Sequence, residues 1–331
     1  MALLLTEADV RAILTMPMAL EAVENSFRRL GEGTAISHSR QRLRLMGKGF
    51  LHYMAASDTT TGYLGLKIYS FSPAGACFMM PLFNGNTGDL VALIEANYLG
   101  QARTGAASGV ATRALAREDA HTAAIIGTGS QARTQLEAVA LARKLDRVRA
   151  FSRNAERREL FSKEMSERIG VAVIPAASAE DAVRGADILI TSTTSAQPVI
   201  DGRWLEPGMH INAIGVNFAE KRELDDEAVR RASVIAADSV EQSKLEAGEL
   251  IHAFGNDSSR WASVRELSGI IAGKIPGRTS PEQITLFKSN GIAIEDVVVA
   301  GLVYENARER GMGREVPMFE KIDRYQDGRT V

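Results

Sequence analysis

The segment Ala123-Ala-Ile-Ile-Gly127-Thr128-Gly129-Ser130-Gln131-Ala132 follows an apolar run and precedes a helical stretch. This spacing suits a pyrophosphate. Gly127 permits a tight turn, Gly129 lets phosphates approach the backbone, and Ala132 lets helix and strand pack closely. The free N–H groups and dipole at the helix start favour the anion. A structural glycine turn would look the same in isolation, but the strand–turn–helix context predicts a dinucleotide. The next apolar run ends Phe151-Ser152-Arg153-Asn154. No carboxylate is present there to bind a ribose 2′-hydroxyl, and Arg153 can pair with a 2′-phosphate and stack on adenine. The expectation is NADP(H) in preference to NAD(H).

Other residues fit around such a cofactor. Thr191-Ser192-Thr193 ends the fourth apolar run, where ligands of open parallel sheets bind, so Thr193 is expected near the ribose or nicotinamide. Ile214-Gly215-Val216 ends the next run and should flank the nicotinamide ring. Arg103 is read as opening a small-residue helix, where a cation opposes the helix dipole and so points to an anionic ligand. Thr104 beside it could donate to the pyrophosphate. Arg42 and Arg44 share one strand face and could grip a carboxylate with a guanidinium fork. Lys67 lies mid-strand between Leu66 and Ile68, and alternation puts it on the opposite face from both. No two of the five His fall at i, i+4, and Cys77 has no cysteine partner, so no metal site is expected. Cys77 is read as core and His210 as structural. No nucleophile signature such as G-x-S-x-G occurs.

The elements that must hold these residues change character along the chain. Thr6-Glu7-Ala8-Asp9 resembles a capping box for a first helix, and a second runs from about Thr15 to Leu30, stopped by Gly31 and Gly33. From about Arg40 to Ile94 the apolar period is two, which predicts a mostly antiparallel sheet. Asn84-Gly85-Asn86-Thr87-Gly88 reads as a hairpin turn between strands Cys77–Phe83 and Leu90–Glu95. The longest uncharged run, Ile68 to Gly88, is broken by Pro and Gly and reads as buried sheet rather than a membrane span. Beyond residue 119, short apolar runs alternate with helical stretches, which predicts a parallel sheet with helical crossovers. A final helix, about Ile294 to Arg310, precedes a polar tail with Gly311, Gly313 and Gly328. The expected fold is α/β, with a doubly wound Rossmann sheet over residues 119–298 following a mostly antiparallel α+β region.

Composition narrows the class. The chain has 331 residues, a net charge of −2, 45% apolar and 24% charged residues. That is an ordinary globular balance, without the basic footprint of a nucleic-acid binder. The single cysteine fits a reducing cytoplasm, and no signal peptide is expected at the N-terminus.

Several blocks in combination resemble the ornithine cyclodeaminase/mu-crystallin family: Gly88-Asp-Leu-Val-Ala-Leu-Ile-Glu95, Arg103-Thr-Gly-Ala-Ala-Ser-Gly109, Ile126–Ala132, Gly208-Met-His-Ile-Asn-Ala-Ile-Gly215, Arg222-Glu-Leu-Asp225 and Phe287–Asp296. The resemblance runs from about Leu3 to Arg310. It implies a homodimer in which the Rossmann sheet is inserted in a discontinuous α+β domain (residues 1–118 plus 299–331) that binds substrate and dimerises, the last helix returning to it. It implies nicotinamide chemistry at the α-carbon of a small amino or imino acid. It also implies that Lys67 contacts the substrate carboxylate and can move a proton, that Arg42 or Arg44, both of which fit its spacing, grips the carboxylate, with Arg42 the preferred reading, and that Ser289 lies near the carboxamide. One departure is informative. Cyclodeaminases of the family and an archaeal alanine dehydrogenase carry Asp where this chain has Asn217, and an amide cannot act as a general base. The reading is therefore an NADP(H)-dependent oxidoreductase. It would act on an imino acid such as a cyclic ketimine or the imine of a 2-oxo acid. The rivals are a cyclodeaminase-type lyase and a non-catalytic NADPH-binding crystallin-like protein.

Overall fold

A computed structural model of the chain describes residues 1–45 and 48–318. Gly328 and the rest of the expected tail beyond residue 318 lie outside the described residues. The first sheet begins with β1 (Ala2–Leu5), β2 (Ala35–Ser37), β3 (Gln41–Leu45), β4 (Gly49–Asp58), β5 (Tyr63–Ser72), β6 (Gly75–Asn84) and β7 (Leu90–Glu95). The second comprises β8 (Thr122–Ile126), β9 (Arg147–Phe151), β10 (Ala172–Pro175), β11 (Ile188–Thr191), β12 (His210–Ala213), β13 (Val234–Ala237), β14 (Arg265–Glu266) and β15 (Thr285–Lys288). A last strand, β16 (Arg314–Val316), returns to the first sheet and pairs antiparallel with β1.

The first sheet is ordered β16-β1-β7-β6-β5-β4-β2, with β3 also on β4. Its long strands pair antiparallel, while β1 joins β7 in parallel. The second runs β10-β9-β8-β11-β12-β15-β13-β14 and is parallel throughout. Strand order reverses between β8 and β11, the place where such sheets open a crevice for ligands. This is the doubly wound sheet that the alternating pattern predicts, joined to a second α+β unit.

Local chemistry explains the element ends. Thr6 and Asp9 form the reciprocal capping box of the helix Glu7–Ile13. The second helix covers Met16–Glu32 and ends on Gly33, which has φ of 86°. Gly31 lies inside that helix, where an added Cβ would sit 2.3 Å from the Ser268 carbonyl oxygen. Helices Met16–Glu32, Asn97–Leu115 and Ala293–Glu309 cover one face of the first sheet and share its core, with Leu20, Phe27, Leu99, Ile294 and Val297 fully buried. Among the described residues no helix is long and apolar enough to cross a membrane.

Several expectations need correction. The chain opens with strand β1, not a helix; four residues are too few to show a period. The small-residue helix starts at Asn97, so Arg103 stands in its second turn and the dipole argument does not apply to it. β15 slips between β12 and β13, although no apolar run was read there. Cys77 is exposed rather than core, because it falls on the uncovered sheet face near the tip of the β5–β6 hairpin. Much of the Ile68–Gly88 run is accordingly open to solvent. The expected boundary at 298/299 falls inside the continuous helix Ala293–Glu309, which packs on the first sheet.

Candidate active site

A cleft of about 510 Å³ opens where the carboxyl ends of β8 and β11 face the inner side of β5. On the second-sheet side, Gly127 turns the chain with φ of 107°, and its N–H donates to the Phe151 carbonyl at 2.8 Å. An added Cβ at Gly127 would stand 2.1 Å from the Ser192 oxygen, whereas one at Gly129 would meet nothing within 4 Å. The backbone therefore has open space where a phosphate would approach. The helix Ser130–Ala142 behind it has no side-chain cap, so its first N–H groups remain available to an anion. The buried Gln131 Oε1 has no partner among the described residues. Ala132 is fully buried, and Gly105 packs so close to this helix that its Cβ would lie 2.4 Å from the Thr134 oxygen. These residues fit a dinucleotide.

The loops after β11 and β12 form the next wall, and one buried carboxylate ties them together. Glu223 accepts from the Thr191 hydroxyl at 2.9 Å, the Thr193 N–H at 2.6 Å and the Gly215 N–H at 2.8 Å. Burial pushes its carboxyl above the usual range, as does nearby Glu249, against the pull of Lys288. Lys288 Nζ donates to the Val216 carbonyl at 2.6 Å and pairs with Glu249 at 3.1 Å. Asp238 holds the following turn, accepting from the Ser289 hydroxyl at 3.1 Å and the N–H groups of Asn290 and Gly291 at 2.7 and 2.6 Å.

The opposite wall is cationic. Lys67 is 4% exposed, on the covered face of β5, with Leu66 and Ile68 on the other. Its Nζ donates to Asp296 Oδ1 at 2.8 Å. Burial and the nearby Arg103 guanidinium lower its pKa to about 8, against the pull of Asp296. Gly100 makes room for this amine, since a Cβ there would be 3.0 Å from Nζ. Arg103 donates to Asp296 at 2.9 Å and Glu295 at 2.8 Å. Arg40 completes the set. It pairs with Glu246 and donates to the carbonyls of Asn290 and Gly291 at 2.8 and 2.9 Å, while its Nε has no partner among the described residues.

The expected site residues divide. Lys67, Arg103, Thr104, Gly129, Ser130, Gln131, Ser192, Thr193, Ile214, Gly215, Asn217 and Ser289 all line the cleft. The Thr104 hydroxyl already donates to the Gly100 carbonyl at 2.7 Å, so its proton is engaged within its own helix. Arg42 shares the sheet face of Tyr69, across His52, but does not line the cleft. It donates to the Asn217 carbonyl at 2.5 Å and to Glu246 at 2.6 Å, and stacks on the Phe218 ring. Arg44 is exposed. Thr128 donates to the Ser152 hydroxyl at 2.9 Å, and Asn154 caps the helix Ala155–Ile169, so this group with exposed Arg153 sits at the end of β9, outside the cleft. Thr191 and Val216 are buried beneath the walls, held by Glu223 and Lys288. Arg40, Tyr69 and Glu223 were not read from sequence. Arg40 precedes the periodic strand, Tyr69 looked like an ordinary strand aromatic, and only the Arg222–Asp225 block pointed near Glu223. Glu220, another carboxylate near Asn217, is exposed. Among the described residues no group of three His, Cys, Asp or Glu side chains could hold a metal ion.

A family model for the ornithine cyclodeaminase/mu-crystallin family matches residues 1–311. The alanine dehydrogenase of Archaeoglobus fulgidus is 36% identical over 326 residues, 96% of this chain and 98% of that protein. Ketimine reductase mu-crystallin of Mus musculus is 34% identical over 78% of this chain and 81% of its own length. Among solved structures, the Δ1-pyrroline-2-carboxylate reductase of Thermococcus litoralis, in complex with NADH and L-proline, matches with a TM-score of 0.90 at 37% identity, covering 95% of this chain and all of that one (100%).

Proposed function

Because the chain belongs to the ornithine cyclodeaminase/mu-crystallin family, we propose that it is a nicotinamide-dependent oxidoreductase that reduces an imino acid at its α-carbon, or oxidises the matching amino acid in reverse. Cyclic ketimines such as pyrroline-2-carboxylate, and imines of 2-oxo acids, are the candidate substrates. The observation that carries this reading is the convergence of Lys67, Arg103 and Arg40 on the same cleft as the open backbone at Gly129 and the uncapped helix at Ser130. A bound reduced nicotinamide would supply the hydride. Arg40 and Arg103 hold the substrate carboxylate, and orientation supplies much of the rate. Lys67 gives its proton to the substrate nitrogen, and Asp296 keeps the resulting amine in place. Asn217 at the rim is no base, which favours reduction over deamination.

NADP(H) is the cofactor form we favour, since Arg153 is exposed at the end of β9 and no carboxylate replaces it there. A homodimer is also part of the proposal. The uncovered face of the first sheet carries the cross-strand row Tyr53, Ile68 and Met79, with Leu43, Leu45 and Leu64 around it, the kind of apolar patch that mates with a partner. The test is oxidation of NADPH and NADH with pyrroline-2-carboxylate, piperideine-2-carboxylate and pyruvate plus methylamine. Turnover with one of them supports the reading. Silence with all of them, or ammonia release from ornithine without net cofactor change, refutes it.

A further inference from the structure

We propose that this site selects imino acids bearing a bulky apolar or aromatic substituent over those with small substituents. The proposal rests on the imine-reductase reading and specifies its substrate. Strand alternation puts Lys67, Tyr69 and Phe71 on one side of β5, and Phe78 stands opposite Tyr69 on β6. The Tyr69 and Phe78 rings stack with centroids 5.5 Å apart and 12° between planes. Phe71 meets both edge-on, at 5.8 Å from Tyr69 and 5.6 Å from Phe78. All three line the cleft, and Phe71 is 37% exposed at its mouth. Rings that brace one another this way form a fixed apolar wall rather than a mobile one.

Position decides what this wall meets. The Tyr69 centroid is 5.8 Å from Lys67 Nζ. A carboxylate held by the cations therefore directs its α-substituent along β5, over Tyr69 and towards Phe71 and Phe78. At about 3.3 Å per residue, Phe71 stands roughly 13 Å along the strand from Lys67, beyond the reach of a methyl group. The cations lining the cleft among the described residues are Arg40, Lys67 and Arg103. Arg42 and Arg44 lie on the same sheet face, across His52 and Phe50 from Tyr69 and Phe71, so the wall selects by apolar surface and size rather than by charge.

The experiment is calorimetric titration of the full-length protein, loaded with NAD(P)+, with L-phenylalanine and L-alanine. It is paired with cofactor oxidation by the methylamine imines of phenylpyruvate and pyruvate. L-Phenylalanine is expected to bind at least about tenfold tighter than L-alanine, as one well-filled apolar pocket allows. Phe78→Ala, with the exposed Phe71→Ala as the second variant, should cut that ratio severalfold. Equal or tighter binding of L-alanine overturns the proposal, as does no binding at all or a ratio unchanged in both variants. If L-phenylalanine binds preferentially but neither imine is reduced, the reaction class fails and the selectivity stands. If the pyruvate imine is the better substrate, the selectivity fails and the reaction class stands.

Discussion

Lys67 is held between opposing influences. Burial and Arg103 drive the proton off, Asp296 holds it on, and the balance lies near pH 8. Imine reduction needs the proton. Its kcat/KM is therefore expected to be highest below pH 8 and to fall as pH rises through it, while amino-acid oxidation rises over the same range. Lys67→Met should lower reduction by about 10²–10⁴-fold and remove that limb of the pH profile. Arg40 and Arg42 give a second contrast. Arg40→Met should raise KM for the imino acid by roughly 30-fold, the loss of about 2 kcal/mol from a charge-assisted hydrogen bond. Arg42→Met should change KM less, since its guanidinium serves Glu246 and the Asn217 carbonyl. Steady-state kinetics separates the two. Sequence could not have ranked them this way. Alternation orders residues within a strand, and Arg40 lies ahead of one. It enters the site through carbonyls of Asn290 and Gly291, some 250 positions away.

At the level of elements, the glycine turn and the close helix pair set the cofactor side. Gly127→Ala puts a Cβ against the Ser192 backbone at a φ of 107°. Cofactor affinity should fall by roughly tenfold or more, since strain of about 1–3 kcal/mol falls on the bound turn. Fluorescence titration with NADPH measures it. Gly105→Val would wedge the helices Asn97–Leu115 and Ser130–Ala142 apart at the Thr134 carbonyl. A loss of about 1–3 kcal/mol in urea unfolding is expected. The turn was legible because three small residues in strict spacing have one common use after a strand. The helix start was not. Asn97, Tyr98 and Leu99 give no capping signature, and the helix is anchored instead by Glu7, whose carboxylate accepts from the N–H groups of Asn97 and Tyr98. β15 was hidden for a related reason: its fully buried Lys288 breaks the apolar run that would have announced a strand.

The molecule as a whole has two levers of its own. On the uncovered sheet face, Tyr53→Glu with Met79→Glu places two charges in the apolar row, and sedimentation should then show monomers in place of the proposed dimer. His210 reports on the second sheet. It is fully buried, bonded to Thr285 and Asn212, and burial lowers its pKa from 6.5 to about 3. It stays neutral when folded and would take up a proton when unfolded. Its contribution to stability is therefore fully present above about pH 6.5 and is lost as pH falls towards 3. A urea midpoint lower at pH 5 than at pH 7, with a smaller difference in His210→Gln, is the expected result.

The helix Ala293–Glu309 carries one more consequence, for the order in which the chain comes into being. Its residues Ile294, Val297, Val299 and Val303 sit at the centre of the core laid down by strands from the first hundred residues. On the ribosome, those strands emerge long before the helix that seals them, while the parallel sheet between already has all of its strands. The first part of the protein to be synthesised is thus the last to be finished, and its apolar faces wait unsealed for the time it takes to translate some two hundred further residues, about 10–40 s at ordinary elongation rates.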